Sequence, residues 1–186
     1  MLLLYKGKYY ERFTHIAKYL TGKSVVELCF GDTILADYCR ENSIRWIGID
    51  VNQTFVKAAI KKGFDAHCAD IASAESFPSA DTIVMSGSLY HFHDSLHNLF
   101  KKMLASAPVV VISEPIVNLS QVQGIIGAAA RSLVTVKGKK QPFRFTEPSL
   151  KDALKAVCRK LNCTYEIAER FSKDLIVIVR RAEESG

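Results

Sequence analysis

Two kinds of hydrophobic pattern follow each other along this chain. Short β-like runs are typical of strands, and longer segments with apolar residues every three or four positions are typical of amphipathic helices. The first pattern predicts strands over residues 24–28, 45–50, 64–68, 81–86, 108–113, 163–170 and 174–180. The second predicts helices over residues 4–20, 33–42, 52–62, 95–104, 119–133 and 146–161, with a basic loop over 134–145.

The alternation of strands and helices predicts an α/β fold. We expect a three-layer sandwich with a seven-stranded, mostly parallel sheet whose terminal strand is antiparallel. The run 109–112 is apolar at every position, as an interior strand should be. Only three residues, 171–173, join the last two predicted strands, and so short a connection indicates an antiparallel pair. A length of 186 residues predicts a single domain over 1–186.

Composition narrows the class of protein. Hydrophobic residues make up 48% of the chain and charged residues 24%, which argues against extended disorder. No apolar run approaches the roughly 20 residues of a membrane-spanning helix. The five cysteines form no C-x-x-C pair, so we expect free thiols and a cytoplasmic location.

The positive charge is concentrated in one segment. Residues 137–160 contain eight basic and two acidic residues, which accounts for the whole net charge of +6. Two interpretations remain open. The segment is either a solvated surface or a patch that attracts an anionic partner such as nucleic acid.

Polar residues directly follow several predicted strands. Glu27 closes the first strand and Gly31 follows it, Asp50 ends the second, and Asp70 comes just after the third. Because the carboxyl ends of parallel strands meet at one edge of the sheet, these residues can surround one ligand. A carboxylate at Asp50 can accept both hydroxyl protons of a ribose.

Two classes of nucleoside cofactor bind in such a place. A dinucleotide requires G-x-G-x-x-G, and the three glycine positions are here Cys29, Gly31 and Ile34. Asp32 would also repel a pyrophosphate. A nucleoside with a cationic tail fits better, because Glu27 offers a negative charge. An NAD-dependent oxidoreductase is therefore the weaker alternative.

These residues resemble the motifs of class I S-adenosylmethionine (SAM)-dependent methyltransferases. The segment Glu27-Leu28-Cys29-Phe30-Gly31-Asp32-Thr33 is similar to the family's first motif, an acid followed by glycines at alternate positions. The segment 86–92 is similar to the one that faces the methionine part and the substrate. The resemblance extends from about residue 9 to residue 180, and the terminal hairpin is similar to the family's reversed seventh strand.

The resemblance implies SAM as the cofactor and a role for each matching residue. Asp50 would hold the ribose hydroxyls, with Val51 beside the adenine, and Asp70 with Ile71 would read the adenine amino edge. The full set of implied cofactor-binding residues is Glu27, Cys29, Gly31, Asp50, Val51, Asp70, Ile71 and Ser86. Cys29 and Thr33 occupy positions that are usually glycine. A degenerate binding subunit without turnover therefore stays open as an alternative.

A histidine-rich segment follows the fourth strand. His91 is the best candidate for a general base by its position, and Tyr90 is the second. A zinc or iron site built from His91, His93, Asp94 and His97 is an alternative, but the resemblance to the H-x-H-x-D-H metallohydrolase pattern is imperfect because Asp94 follows His93 directly, so we predict no metal.

Motifs that the chain lacks narrow the class of methyl acceptor. The segment after the fourth strand has no Asn/Asp-Pro-Pro-Tyr/Phe sequence and the chain has no Pro-Cys pair, which argues against methylation of base amino groups or of cytosine C5. We therefore expect a small-molecule acceptor. The basic segment 137–160 keeps a nucleic-acid acceptor open as the competing prediction.

Overall fold

The computed structural model describes residues 9–117 and 143–182. Its strands are β1 Ser24–Leu28, β2 Arg45–Asp50, β3 Asp65–Cys68, β4 Thr82–Ser86, β5 Val109–Pro115, β6 Cys163–Phe171 and β7 Asp174–Arg181. Its helices are α1 Glu11–Ala17, α2 Ile34–Glu41, α3 Gln53–Lys61, α4 Leu96–Ser106 and α5 Glu147–Leu161. A short 3-10 turn, Leu89–Phe92, precedes α4.

The seven strands form one sheet in the order β3-β2-β1-β4-β5-β7-β6. β1, β2, β3, β4 and β5 pair in parallel, and β7 lies antiparallel to both β5 and β6. This confirms the predicted fold class. The order reverses between β1 and β4, so the crevice at their carboxyl ends is where this architecture binds ligands.

The helices cover both faces of the sheet. α1, α2 and α3 pack on one face around Phe13, Leu35, Val84 and Val111. α4 and α5 pack on the other face, where Phe100 belongs to the buried cluster. None of the helices within the described ranges is both long and apolar enough to cross a membrane.

Helix ends follow from local sequence. The Asn52 side chain accepts a hydrogen bond from the Thr54 N–H and caps α3 as predicted. Thr146 and Ser149 form a reciprocal capping box at the start of α5. Asn162 adopts a left-handed conformation that ends this helix.

Several boundaries differ from the predictions by a few residues, and those of β5 and α1 bear on the site. β5 runs to Pro115 rather than stopping at residue 113, because its last residues pair with the start of β7, and this places Glu114 inside the sheet. α1 begins at Glu11 within the described residues, whereas the pattern predicted a start at residue 4. The predicted helix 119–133 and nearly all of the loop 134–145 lie outside the described residues.

Candidate functional site

A cavity of about 600 Å³ opens at the carboxyl ends of β1, β2 and β4, at the point where the strand order reverses. This volume lies within the range of small-molecule sites. α1 contributes one wall, and the segments that follow the three strands contribute the rest. The lining residues are Tyr9, Tyr10, Arg12, Phe13, Cys29, Phe30, Gly31, Asp32, Asp50, Val51, Asn52, Phe55, Ser86, Gly87, Ser88, Tyr90 and His91.

Asp50 lies in the cavity wall at the end of β2 and is only 6% exposed. One carboxylate oxygen accepts from the Asn52 N–H at 2.7 Å, and the other accepts from the Gly31 N–H at 3.1 Å. These two bonds fix the direction of the carboxylate. Each oxygen retains acceptor capacity, so Asp50 can receive further hydrogen bonds from a ligand. Val51 lies beside it and is exposed.

The loop between β1 and α2 uses left-handed backbone at two positions. Gly31 has φ +64, and a side chain built there would meet no atom within 4 Å. Cys29 has φ +55 and lines the cavity. Burial raises the pKa of the Cys29 thiol to about 12, so the thiol is neutral. With its φ of +55, Cys29 occupies a left-handed conformation that favours glycine.

We expect Cys29→Gly to stabilise the fold by up to about 1 kcal/mol, because glycine relieves the left-handed strain while adding entropy to the unfolded chain. Removing the thiol from the cavity wall should also strengthen ligand binding. Urea unfolding followed by the fluorescence of Trp46 measures the first effect. Ser43→Gly is the matched control, since Ser43 has φ +56 and does not line the cavity. Loss of stability in Cys29→Gly alone would contradict the expectation.

Asp32 occupies the start of α2. One of its oxygens accepts from the Ile34 N–H at 3.0 Å, and the other accepts from the Tyr9 hydroxyl at 2.6 Å. Burial and the charge of Asp32 raise the pKa of Tyr9, so the phenol stays protonated and donates. A carboxylate therefore already fills the anion-binding end of this helix.

Glu27 is fully buried behind the cavity wall rather than in it. One oxygen accepts from the Trp46 indole N–H at 2.9 Å. Gly48 makes this contact possible, because a Cβ on Gly48 would lie 2.1 Å from the Trp46 ring. The other oxygen, Oε1, has no hydrogen-bond partner within residues 9–117 and 143–182.

Burial raises the pKa of Glu27 well above its usual value, against the opposing effect of the Trp46 hydrogen bond. The negative charges of Asp32 and Asp50 raise it further. Three carboxyl groups thus lie near each other at the tips of β1 and β2. The negative charges of Asp32 and Asp50 give this end of the cavity a negative potential, which favours a cationic ligand.

The other end of the cavity is formed by the segment after β4. Ser86, Tyr90 and His91 all line it. Burial and the positive charge of Arg144 lower the pKa of His91, so this imidazole is neutral at pH 7. The Arg144 guanidinium lies 3.5 Å from the centre of the Tyr90 ring.

Arg12 supports this end of the cavity from α1. It donates two hydrogen bonds to Asp174, at 2.5 and 3.0 Å, and one to the Ser86 hydroxyl at 3.1 Å. Asp174 also accepts from Ser113 at 3.0 Å. The sequence reasoning missed Arg12 and Asp174. Two signals were present: Arg12 lies one turn before the buried Ile16 on α1, and Asp174 directly precedes the apolar run 175–179.

Asp70 and Ile71 lie outside the cavity wall. Asp70 is exposed, and its side chain accepts from the Ala72 N–H at 2.9 Å within a turn. Ile71 is 2% exposed and belongs to the hydrophobic core. Their assignment to the adenine edge stays a prediction.

The histidine segment does not converge on one point. His93 stacks on Phe143 and its Nδ1 lies 3.1 Å from the Tyr90 carbonyl, whereas His97 contacts Asn98. No group of three or more potential metal ligands occurs in the part of the chain that the structure describes.

Part of the basic segment 137–160 lies on α5. Lys151 pairs with Glu147 at 2.7 Å, and Lys155 reaches Asp152 at 4.0 Å. These ion pairs reduce the charge available to a partner. Lys137, Lys139 and Lys140 lie outside the described residues, so the prediction of an anionic partner stays a prediction.

Comparison of the sequence with protein-family models finds no match, and no curated protein matches it. Solved structures share the fold. The magnesium protoporphyrin IX methyltransferase ChlM of Synechocystis PCC 6803, with bound S-adenosylhomocysteine (SAH), superposes with a TM-score of 0.69 at 13% identity over 97% of this chain and 86% of its own. The plantazolicin methyltransferase BpumL, in complex with a pentazolic substrate analogue and SAH, gives 0.67 at 13% identity over 95% and 85%.

A third similar structure bears a different name. It is a Rhodobacter sphaeroides protein provisionally described as a Zn-dependent alcohol dehydrogenase, with a TM-score of 0.73 at 12% identity over 93% of this chain and 90% of its own. At these identities the likeness shows the fold. The chain has the Rossmann-like fold of class I SAM-dependent methyltransferases.

Proposed function

We propose that this chain, which has the fold of SAM-dependent methyltransferases, binds SAM in the cavity described above and transfers its methyl group to a small-molecule acceptor. The observation that carries the proposal is the buried Glu27, whose Oε1 lacks a partner among the described residues while Asp32 and Asp50 lie nearby. A carboxyl left unsatisfied in this way is costly unless a ligand compensates it. The positive ammonium and sulfonium groups of SAM would compensate it through their charge, without a hydrogen bond, because Glu27 lies behind the cavity wall.

The residues of the cavity fit the parts of this cofactor. Asp50 would accept the ribose hydroxyls with its remaining lone pairs, and Val51 and Phe55 would pack on the adenine. Gly31 leaves open space where a side chain would otherwise project. Glu27 would act on the cationic tail through the field of its carboxylate, because it lies behind the wall and does not line it.

A dinucleotide fits the same residues poorly. Asp32 caps the Ile34 N–H at the start of α2, where a pyrophosphate would have to sit. Displacing this carboxylate would also break its bond to Tyr9. The local charge therefore favours SAM over NAD.

SAM supplies an electrophilic methyl group, so the protein must align the acceptor, exclude water and receive a proton where the acceptor carries one. His91 would receive that proton, because its lowered pKa keeps it neutral at pH 7. Tyr90 is the second candidate. The aromatic side chains of Tyr10 and Phe13 line the cavity and would shield the reaction from water. A cytoplasmic location is part of the proposal and is supported by the free thiols of the cysteines.

Calorimetric titration with SAM and SAH tests the proposal. The bound cation should drive the proton from Glu27, so we expect release of up to about one proton per SAM bound. Because binding releases a proton, the apparent affinity should rise with pH until free Glu27 is itself ionised. Titrations in buffers of different ionisation enthalpy measure the proton number.

Glu27→Gln should bind SAM more weakly and release no proton. Glu41→Gln is the control, because Glu41 is exposed on α2 and away from the cavity. Absence of heat and of a thermal shift at millimolar SAM and SAH would overturn the proposal. Binding by wild type with an unchanged proton count in Glu27→Gln would overturn the role of Glu27.

A further inference from the structure

Glu114 is a buried carboxyl that the proposed reaction leaves unused. It lies near the end of β5, is fully buried, and lies on the same face of the sheet as Val110 and Ile112. Its Oε2 accepts from the Leu89 N–H at 3.0 Å, and the Tyr90 N–H acts as a second backbone donor to the same carboxyl. Its Oε1 has no partner within the described ranges.

These contacts join β5 to the 3-10 turn Leu89–Phe92. The turn has no side-chain cap of its own, because Ser88 at its start makes no capping bond. Glu114 provides the missing acceptor from another strand. The turn carries Tyr90 and His91, both of which line the cavity.

We infer that Glu114 is a positioning residue, whose carboxyl holds the Leu89–Phe92 turn and thereby sets the direction of Tyr90 and His91 at the acceptor end of the cavity. The inference deepens the proposed function, since the side chains it orients are the proposed proton acceptors. Glu114 acts only through the turn and lies outside the cavity lining.

The charge of Glu114 also bears on His91. Burial raises the pKa of Glu114 to about 8, while the Leu89 and Tyr90 N–H groups and the positive Arg144 oppose this shift and Asp174 adds to it. The carboxyl is therefore neutral at pH 7 and ionises as the pH rises. Arg144 also acts on His91, so both titrations respond to the same cation.

Nuclear magnetic resonance titration of the His91 ring tests the inference without an acceptor. In wild type we expect the His91 ring signals to shift a second time near pH 8, when Glu114 ionises. Glu114→Gln should lose this second step, because glutamine cannot ionise. Glu41→Gln should keep it. A second step that persists in Glu114→Gln, or is missing from wild type, would overturn the inference.

Amide hydrogen exchange tests whether Glu114 holds the Leu89–Phe92 turn in place or only lies close enough for its charge to act on His91. Glu114→Ala removes the acceptor, so the Leu89 and Tyr90 amides should exchange at least about tenfold faster. Glu114→Gln keeps an acceptor oxygen and should restore slow exchange. Unchanged exchange in Glu114→Ala would overturn the inference. Should that variant fail to fold, the exchange of the Leu89 and Tyr90 amides in wild type and in Glu114→Gln decides, because amides that exchange freely in both would overturn the inference. SAH titration is run in parallel. Failure to bind SAH would overturn the methyltransferase proposal, whereas the titration and exchange results would still decide whether Glu114 positions the turn.

Discussion

Replacing Arg12 by methionine is expected to destabilise the fold by about 3–5 kcal/mol, because it leaves the Asp174 carboxylate buried without its cation. The Arg12 and Asp174 side chains are 2% and 0% exposed, and their shortest contact is 2.5 Å. Burial already raises the pKa of Asp174, and the charge of Arg12 opposes that shift. In the variant Asp174 should therefore hold a proton to higher pH, so the loss of stability should grow as the pH rises.

The ion pair between Arg180 and Glu166 provides a matched comparison. It has the same contact distance of 2.5 Å, but its side chains are 46% and 56% exposed. Arg180→Met should therefore cost no more than about 1 kcal/mol. Urea unfolding followed by Trp46 fluorescence measures both variants. Equal losses in the two would show that burial does not set the strength of the Arg12 pair.

Asp50→Asn is expected to weaken SAH binding by about 10- to 100-fold, the effect of losing charge-assisted hydrogen bonds to the ribose. The amide also places an N–H₂ group against the N–H of either Gly31 or Asn52, so the carboxylate direction seen in wild type cannot be kept. Calorimetry with SAH measures the change. A thermal melt of the variant verifies that it is folded.

Asp65→Asn is the control for this variant. Asp65 lies on the neighbouring strand β3, is exposed, and pairs with His67 at 2.9 Å away from the cavity. Its replacement should leave SAH affinity within about twofold of wild type. If Asp50→Asn also binds within twofold, Asp50 does not hold the ribose, and the orientation of the ligand in the cavity must be revised.

The fold was predictable because each strand carries its own signal. The run 109–112 is apolar at every position and lies in the interior of the sheet, and the short connection 171–173 left only an antiparallel pairing for β6 and β7. Local capping residues such as Asn52 also act within a few positions of the helices that they start. Such signals depend on near neighbours and can be recognised without a structure.

The site was only partly predictable, because its polar contacts join distant parts of the chain. The sequence predicts that Asp50 and Gly31 meet, since both follow parallel strands, and they share a hydrogen bond. It could not predict that Trp46 would satisfy one oxygen of Glu27, because that contact depends on the space that Gly48 leaves. The prediction of a ligand contact for Asp70 rests on the family resemblance, and its side chain accepts from the Ala72 N–H within a turn.

The bond between Arg12 and Asp174 spans 162 positions of sequence. Loop closure over such a distance makes this contact entropically expensive to form early in folding. During synthesis on the ribosome, α1 emerges long before β7, so the residue that anchors α1 reaches its partner only when nearly all of the described chain has been made. We therefore expect the α1 wall of the cavity to stay undocked in nascent chains that end before β7. SAH should protect only those nascent chains that include β7 from proteolysis.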